Sequence, residues 1–400
     1  MADAILTLNA GSSSIKFAAY RVDPGGLDAL ASGLVDGIGG AATFSAAVTG
    51  GPPDKHPIIA AGPVDHQAAL GGVIDWLRHS RQDCRIVAVG HRVVHGGPDF
   101  AEPILLDDAR LALLRGLTPL APLHQPHNLA GIDAALRAFP DAAQVACFDT
   151  AFHRSHPFIY DTFALPKRFY EEGVRRYGFH GLSYEFITRR LRAVAPNLAQ
   201  GRVIIAHLGN GASMCALREG RSVASTMGFT AIDGLPMGTR CGQLDPGVLL
   251  YLITEKGMSP GAVSDLLYRN SGLKGMSGLS NDMRTLEASS DPAAREAIDY
   301  FVARIRREIG GLAATIGGVD AIVFTGGIGE HAWRVREAAL REMQWLGIEL
   351  DAEANTRGAQ VISAPQSRTR ILVLPTDEER MIAEHTAAIA RLGPATHASV

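Results

Sequence analysis

The sequence predicts an α/β protein of two similar domains, and three observations predict it. The stretch AILTLNAGSSSIKFAAY at 4–20, an apolar run, a small polar turn and an apolar return, has an echo in GRVIIAHLGNGASMCALREG at 201–220. A repeat spaced by about two hundred residues is too long for a solenoid and fits a duplicated domain. Strand-like runs alternate with helix-period segments along the chain, and 400 residues exceed what one core usually accommodates.

In the opening element, Ile5, Leu6 and Leu8 form a buried strand and Ile15, Phe17 and Tyr20 its return. Its tip presents backbone N–H groups, hydroxyls, the Asn9 carboxamide and the Lys16 ammonium, which suit phosphate or a hydrated metal. A Gly/Ser turn by itself is more often only a turn. Residues 21–63, rich in Gly, Ala and Pro, read as short strands and loops. Leu70, Val73, Ile74 and Leu77 predict a helix over 65–79, and 85–97 a strand running into a glycine-ended loop. Helices at 107–116 and 127–138 bracket TPLAPLHQPHN, and QVACFDTAFH at 144–153 is a buried strand that opens onto polar groups. After an irregular crossing at 154–181, a helix begins that Ser183 would cap. Helices follow at 247–256, 261–269 and 292–317, the last started by Asp291 and Pro292. DAIVFTGGIGEH at 320–331 reads as a strand ending in glycines before a helix at 333–346, so that its turn sits at a helix N-terminus. A strand at 370–375 and a helix at 378–392 close the chain.

Lys+Arg 38 against Asp+Glu 41 leaves a formal charge of -3, with no broad basic surface, so neither nucleic acid nor membrane is expected as a partner. The N-terminus has no basic segment leading into a long apolar one, and no run of 18 apolar residues occurs, which points to the cytoplasm. Cys84, Cys147, Cys215 and Cys241 are scattered and read as structural thiols.

No glycine cluster matches GxxxxGK[ST] or a complete GxGxxG with its acidic strand, which removes single-loop ATPases and dinucleotide dehydrogenases. What remains is a nucleotide held between two domains by separate hairpins and turns. Arg92, Asp149, His180, His207 and Arg240 each fall at a strand end or in a glycine-bounded loop. An arginine in a loop is commonly a surface charge, whereas Asp149 inside CFDTAF is a carboxylate that burial obliges to find a partner. His91, His95, His124, His127, His153 and His156 lack HExxH or comparable spacing, and most of the histidines read as polar loop residues. Two arginines, two histidines and a carboxylate suffice for phosphoryl transfer, which is mostly positioning and charge compensation.

The motifs NAGSSSIKF, GHRVVHGG, FDTAFH, YGFHGLSYE, HLGNGAS, MGTRCGQLDPG, NDMR, TGGIGEH and PTDEERMIA, in this order over essentially the full chain, closely resemble the acetate kinase family. The resemblance implies two ribonuclease-H-like domains with mixed central sheets flanked by helices and a ligand cleft between them. The N-terminal domain would comprise 1–150 with 382–400 and carry the acyl-side and metal residues. The C-terminal domain, 151–381, would bind nucleotide and form a homodimer contact. The implied reaction is reversible in-line transfer of the γ-phosphoryl group of ATP to acetate, giving acetyl phosphate and ADP with Mg2+, for which Mn2+ would substitute.

Carried onto this sequence, the resemblance makes Asn9 and Glu378 magnesium-site residues, with Glu379 the lesser candidate. Lys16 becomes a nucleotide-phosphate contact, Arg92 the acyl-side arginine and Arg240 a holder of the transferring phosphoryl group. Asp149 matches the family's essential acid; because a carboxylate substrate needs no deprotonation, orienting Arg92 or a metal-linked role is an equal alternative. His180 resembles a transition-state stabiliser. His207, Leu208, Gly209, Asn210 and Gly211 would cradle phosphates. Asp282, Met283 and Arg284 with Gly327, Ile328, Gly329, Glu330 and His331 would surround the adenosine. Val94, Leu123 and Phe179 would line a small acyl pocket or serve only as packing. The chain departs from the family pattern at Ala231, usually proline, which opens a preference for propionate, and at His331 and Asp377, both usually Asn. A nucleotide-gated chaperone on the same scaffold would lack the arginine pair that Arg92 and Arg240 supply.

Overall fold

The structure, a computed structural model, describes residues 1–11, 14–58, 63–81, 83–122 and 124–392. The tip residues 12–13 of the first hairpin and Leu123 lie outside the described residues. The chain forms two compact units, Met1–Ala151 with Asp377–Val400, and Phe152–Thr376.

In the first unit, β1 (Ala2–Ala10), β2 (Ser14–Asp23), β3 (Gly26–Asp36), β4 (Thr43–Val48) and β5 (Asp54–Pro57) form an antiparallel meander. On its other side β1 pairs in parallel with β6 (Cys84–Val93), which pairs in parallel with β8 (Ala143–Phe148); β7 (Ile104–Leu105) closes the edge. The second unit repeats the scheme with β9 (Arg202–Leu208), β10 (Ala212–Arg218), β11 (Arg221–Ser225), β12 (Ala321–Thr325) and β13 (Arg370–Val373). A three-strand meander β11-β10-β9 again continues into two parallel strands, β12 and β13. The two hairpins read in the sequence are thus β1-β2 and β9-β10, each at the same place in its sheet.

Residues 21–63 differ from the expected short strands, because β3 alone runs for 11 residues. Its small residues hide the usual alternation. A Cβ on Gly33 would meet the Phe17 ring at 2.5 Å and the Ala46 methyl at 2.7 Å, so glycine is what lets the strand pack onto Phe17. The sheet buries Leu6, Leu8, Phe17 and Phe44 against Leu70, Val73 and Leu77 of the His66–Ser80 helix.

The final helix, Glu378–Ile389, packs on β1 and β6, and the return to the first unit falls at Asp377, earlier than 382, because this helix is continuous from its Asp377 cap. A Cβ on Gly90 of β6 would lie 2.2 Å from Thr386 Oγ1 and 2.6 Å from Ile382 Cγ2. That close approach brings the helix start, with Glu378 and Glu379, beside the carboxyl ends of β1 and β6. Among the described residues no helix is long and apolar enough to cross a membrane.

Candidate active site

In an open sheet with parallel strands, ligand-binding groups collect at the carboxyl ends of those strands. Asn9 ends β1, Arg92 ends β6, and Asp149 follows β8, with its N–H donating to the Val93 carbonyl at 3.1 Å. Arg92 Nε donates to both Asp149 oxygens at 3.0 and 3.1 Å, and Nη2 donates to Oδ2 at 2.5 Å. Arg92 Nη1 donates to Asn9 Oδ1 at 3.0 Å, and Asn9 Nδ2 to Glu378 Oε2 at 3.3 Å. A guanidinium has five N–H groups. These contacts use three of them, leaving one on each terminal nitrogen, a pair suited to a carboxylate.

Asp149 is 1 % exposed and the Arg92 side chain 19 %. Burial works against the Arg92 charge, but Asp149 with Glu378 and Glu379 together outweigh it and keep the guanidinium protonated. At Glu378, burial raises the carboxyl pKa, with Arg92 opposing and Glu379 adding to the rise. Glu379 Oε2 accepts from Lys16 Nζ at 2.8 Å, while its Oε1 is buried without a hydrogen-bond partner. Lys16 thus pairs with Glu379 within this unit.

These groups fit a magnesium ion. Mg2+ takes one or two carboxylates along with phosphate oxygens and water, and here a buried carboxylate whose charge is disfavoured stands beside a carboxylate oxygen lacking a partner. Among the described residues no three His, Cys, Asp or Glu side chains form a metal-holding group.

The sequence reading missed Asn128. On the Gln125–Ala138 helix and 2 % exposed, it accepts from the Val94 N–H at 2.9 Å and donates to the Ala10 carbonyl at 2.7 Å, tying the ends of β6 and β1 together. An asparagine on a largely apolar helix face, three residues after the equally buried Gln125, is the signal that points to it. Val94 is buried beside this tie.

In the second unit, His180 rather than Ser183 caps the Gly181–Val194 helix. Its φ of 59° is left-handed, a backbone that costs a non-glycine residue on the order of 1–3 kcal/mol. The imidazole Nδ1 lies 2.8 Å from Ser213 Oγ, which is 2.5 Å from the Tyr184 hydroxyl. The ring stacks on His207, centroids 4.3 Å apart. Ser183 instead bonds His207 Nδ1 at 2.8 Å and Thr376 Oγ1 at 2.9 Å, so its hydroxyl orients a second imidazole. His207 and Leu208 end β9, and Gly209–Gly211 turn into β10, where a Cβ on Gly211 would come within 3.1 Å of His180 Nε2. Phe179 is buried just before His180.

Asn210 joins this turn to its neighbours: its carbonyl accepts from the Gly238 N–H at 2.9 Å and its Oδ1 from Asn281 at 3.1 Å. Arg240 Nη1 donates to the Ala231 carbonyl at 3.1 Å. Asp282 caps the Met283–Ala288 helix through the Arg284 N–H and pairs with the Arg284 guanidinium at 2.6 Å, while Met283 is buried. Gly327, Ile328, Gly329, Glu330 and His331 do not form the expected turn; Gly326–His331 is itself a short helix. Glu330 folds back so that its carboxylate accepts from the Gly326 N–H at 2.9 Å and the Thr376 N–H at 3.2 Å. Sequence reading also missed Arg336, 1 % exposed, which donates to the Gly329 and Glu330 carbonyls at 2.8 and 2.9 Å and fixes the far end of that helix.

The sequence model of the Acetokinase family matches residues 4–384. An acetate kinase of Methylocella silvestris is 58% identical over 399 residues, covering 97% of this chain and 98% of that protein. One from Rhizobium meliloti is 53% identical over 388 residues, covering 97% and 98%. Among solved structures, Porphyromonas gingivalis acetate kinase superposes with a TM-score of 0.85 at 36% identity over 97% of this chain and all of that one. A propionate kinase from Francisella tularensis gives 0.88 at 34%, over 96% and 99%. Matched by its family over almost its whole length and by relatives more than half identical from end to end, the chain belongs to the acetokinase family.

Proposed function

We propose that this enzyme transfers the γ-phosphoryl group of ATP reversibly to acetate, giving acetyl phosphate and ADP, with Mg2+. The observation that carries the acceptor side is Arg92, locked by Asp149 and Asn9 with one N–H left on each terminal nitrogen. That pair matches the two oxygens of a carboxylate. Acetate is already ionised at neutral pH and needs no base, so Asp149 serves as the anchor that aims and charges Arg92. One acetate oxygen then attacks the γ-phosphorus in line, and the bond to the ADP oxygen breaks on the opposite side.

His180 and Arg240 offset charge on the phosphoryl oxygens, and the His207–Gly211 turn holds the nucleotide phosphates. The proposed adenosine contacts are Asp282–Arg284 and the Gly327–His331 helix. Asn9 and Glu378 would hold Mg2+; Glu379, paired with Lys16, is the lesser ligand. When bound, the ion neutralises phosphate charge. Lys16 reaches nucleotide phosphate by leaving Glu379. Its use of ATP supports a cytoplasmic location.

Ala231, buried and joined through its carbonyl to Arg240, favours a second activity on propionate. One methylene in such a pocket is worth about 1–3 kcal/mol. With Mg-ATP, hydroxylamine and a series of acids, we expect acyl hydroxamate formation with kcat/KM falling from acetate through propionate to butyrate. No acetyl hydroxamate would sink the functional reading, and a propionate optimum would reverse the preference.

A homodimer through the second unit is supported by the Pro246–Thr254 helix, PGVLLYLIT, none of whose residues is buried; Leu250 is 64 % exposed. So apolar a face calls for a cover, and a second copy supplies one of matching chemistry. Sedimentation equilibrium should return twice the 42.4 kDa chain mass, and Leu250→Glu should halve it. A monomeric wild type at micromolar concentration would refute the dimer.

A further inference from the structure

Beneath the His180 turn runs a buried chain of polar side chains that the reaction above does not use. His153, 1 % exposed, has Nε2 2.9 Å from the Phe179 carbonyl oxygen and Nδ1 2.8 Å from Ser222 Oγ. His156 Nε2 lies 2.7 Å from the same hydroxyl. A carbonyl only accepts, so His153 Nε2 carries the proton. Burial pushes the His153 pKa down to about 4, which keeps the ring neutral and makes Nδ1 an acceptor. The single Ser222 hydroxyl proton therefore goes to His153 Nδ1, and Ser222 Oγ accepts from His156 Nε2–H and from the Cys215 thiol 3.2 Å away. This pattern leaves His156 Nδ1 bare, and that atom is buried without a hydrogen-bond partner. The contacts thus select one tautomer for each ring.

The chain ends on strained backbone. Gly178 has φ 72° and His180 φ 59°, and a Cβ on Gly178 would lie 2.6 Å from His153 Cδ2. The His153 ring therefore touches the turn twice, as a surface under Gly178 and as a donor to Phe179. Rotation of the Phe179–His180 peptide sets the His180 φ, and with it where the His180 imidazole stands over Gly211 and against Ser213.

We propose that His153 is a positioning residue for phosphoryl transfer: with Ser222 and His156 behind it, it holds the Phe179 carbonyl and so fixes the left-handed backbone that aims His180. This rests on the reading of His180 given above. Acetyl hydroxamate formation by the wild type tests that reading by itself, and its absence would remove the functional reading rather than the geometry of the tie.

The tie is tested with His153→Leu, His153→Gln, Ser222→Ala and each combined with His180→Ala. His153→Leu should lower kcat about a hundredfold, the scale of a small misplacement, with KM for acetate and Mg-ATP within about threefold. His153→Gln, which returns an amide N–H toward Phe179, should recover most of that loss. In the His180→Ala background the His153→Leu change should lower kcat by less than about threefold, because residues acting through one another are not additive. Equal losses in both backgrounds, or no recovery by glutamine, would overturn the proposal. If the leucine variant does not fold, Ser222→Ala serves in its place, with an expected loss of about tenfold that again vanishes without His180. Ring 15N shifts of wild-type His153 give a readout independent of turnover: the neutral Nε2–H tautomer is expected at pH 7, and the Nδ1–H tautomer would overturn the tie.

Discussion

Arg92→Ala is expected to lower kcat/KM for acetate by about a thousandfold, the upper range for losing a preorganised donor to reacting charge, while Mg-ADP affinity stays within about twofold. The asymmetry follows from the contacts. Arg92 faces Asp149 and Asn9, whereas the proposed phosphate turn, His207–Gly211, belongs to the other unit. Stability should fall as well, because Asp149 is left buried without its cation; breaking a buried pair in this way costs about 3–5 kcal/mol. Arg92→Lys should restore part of the stability and little of the turnover, since one ammonium cannot span both Asp149 oxygens and Asn9 while offering two parallel N–H groups. Steady-state kinetics, nucleotide titration and urea unfolding on the same samples separate these effects. Equal losses of acetate use and nucleotide affinity would take Arg92 off the acceptor side.

Glu378→Gln should lower turnover by about a thousandfold and raise the stability of the ligand-free enzyme at neutral pH. The Glu378 pKa is raised, first by burial. The folded state therefore holds this proton more tightly than the unfolded chain, and its stability contribution is lost as pH rises from the ordinary glutamate range through the raised value. Where the carboxylate is ionised its buried charge is unfavourable, and glutamine removes that charge. Mg2+ with nucleotide should raise the wild-type melting temperature and leave that of the variant nearly unchanged. A ligand-free variant less stable than wild type at pH 7, or one still stabilised by Mg2+ as wild type is, would show that Glu378 is a structural residue.

Much of the architecture was legible in the chain. The hairpins at 4–20 and 201–220 announced the duplication, since alternation of apolar residues and a small-residue turn are local properties that need no partner to be read. The Asp149 carboxylate inside an apolar strand context announced a buried partner. Where reading failed, packing had overruled local pattern. Glycine and alanine in β3 concealed a long strand because their smallness serves Phe17 rather than flexibility. Ser183 looks like a cap in sequence, yet the helix starts at His180 and leaves the Ser183 hydroxyl for His207. The glycines of TGGIGEH suggested a turn before the next helix, but a short helix forms there, with Glu330 accepting from the Gly326 N–H and Arg336 tying off the far end.

The sequence by itself determined the two-unit α/β plan, the family and the roster of charged residues at strand ends, because these follow from periodicity and short motifs. Only the tertiary structure decided how those residues are paired. Asp149 meets Arg92 across 57 positions of sequence and Glu378 meets Asn9 across 369, separations that no local pattern encodes. Sheet order and the close packing of Gly90 on the last helix bring them together, and low-dielectric burial then makes their charges interdependent. The same holds for Asn128 and His153, ordinary residues in the sequence that become ties in the fold only because two carbonyls, Ala10 and Phe179, stand within reach of their N–H groups.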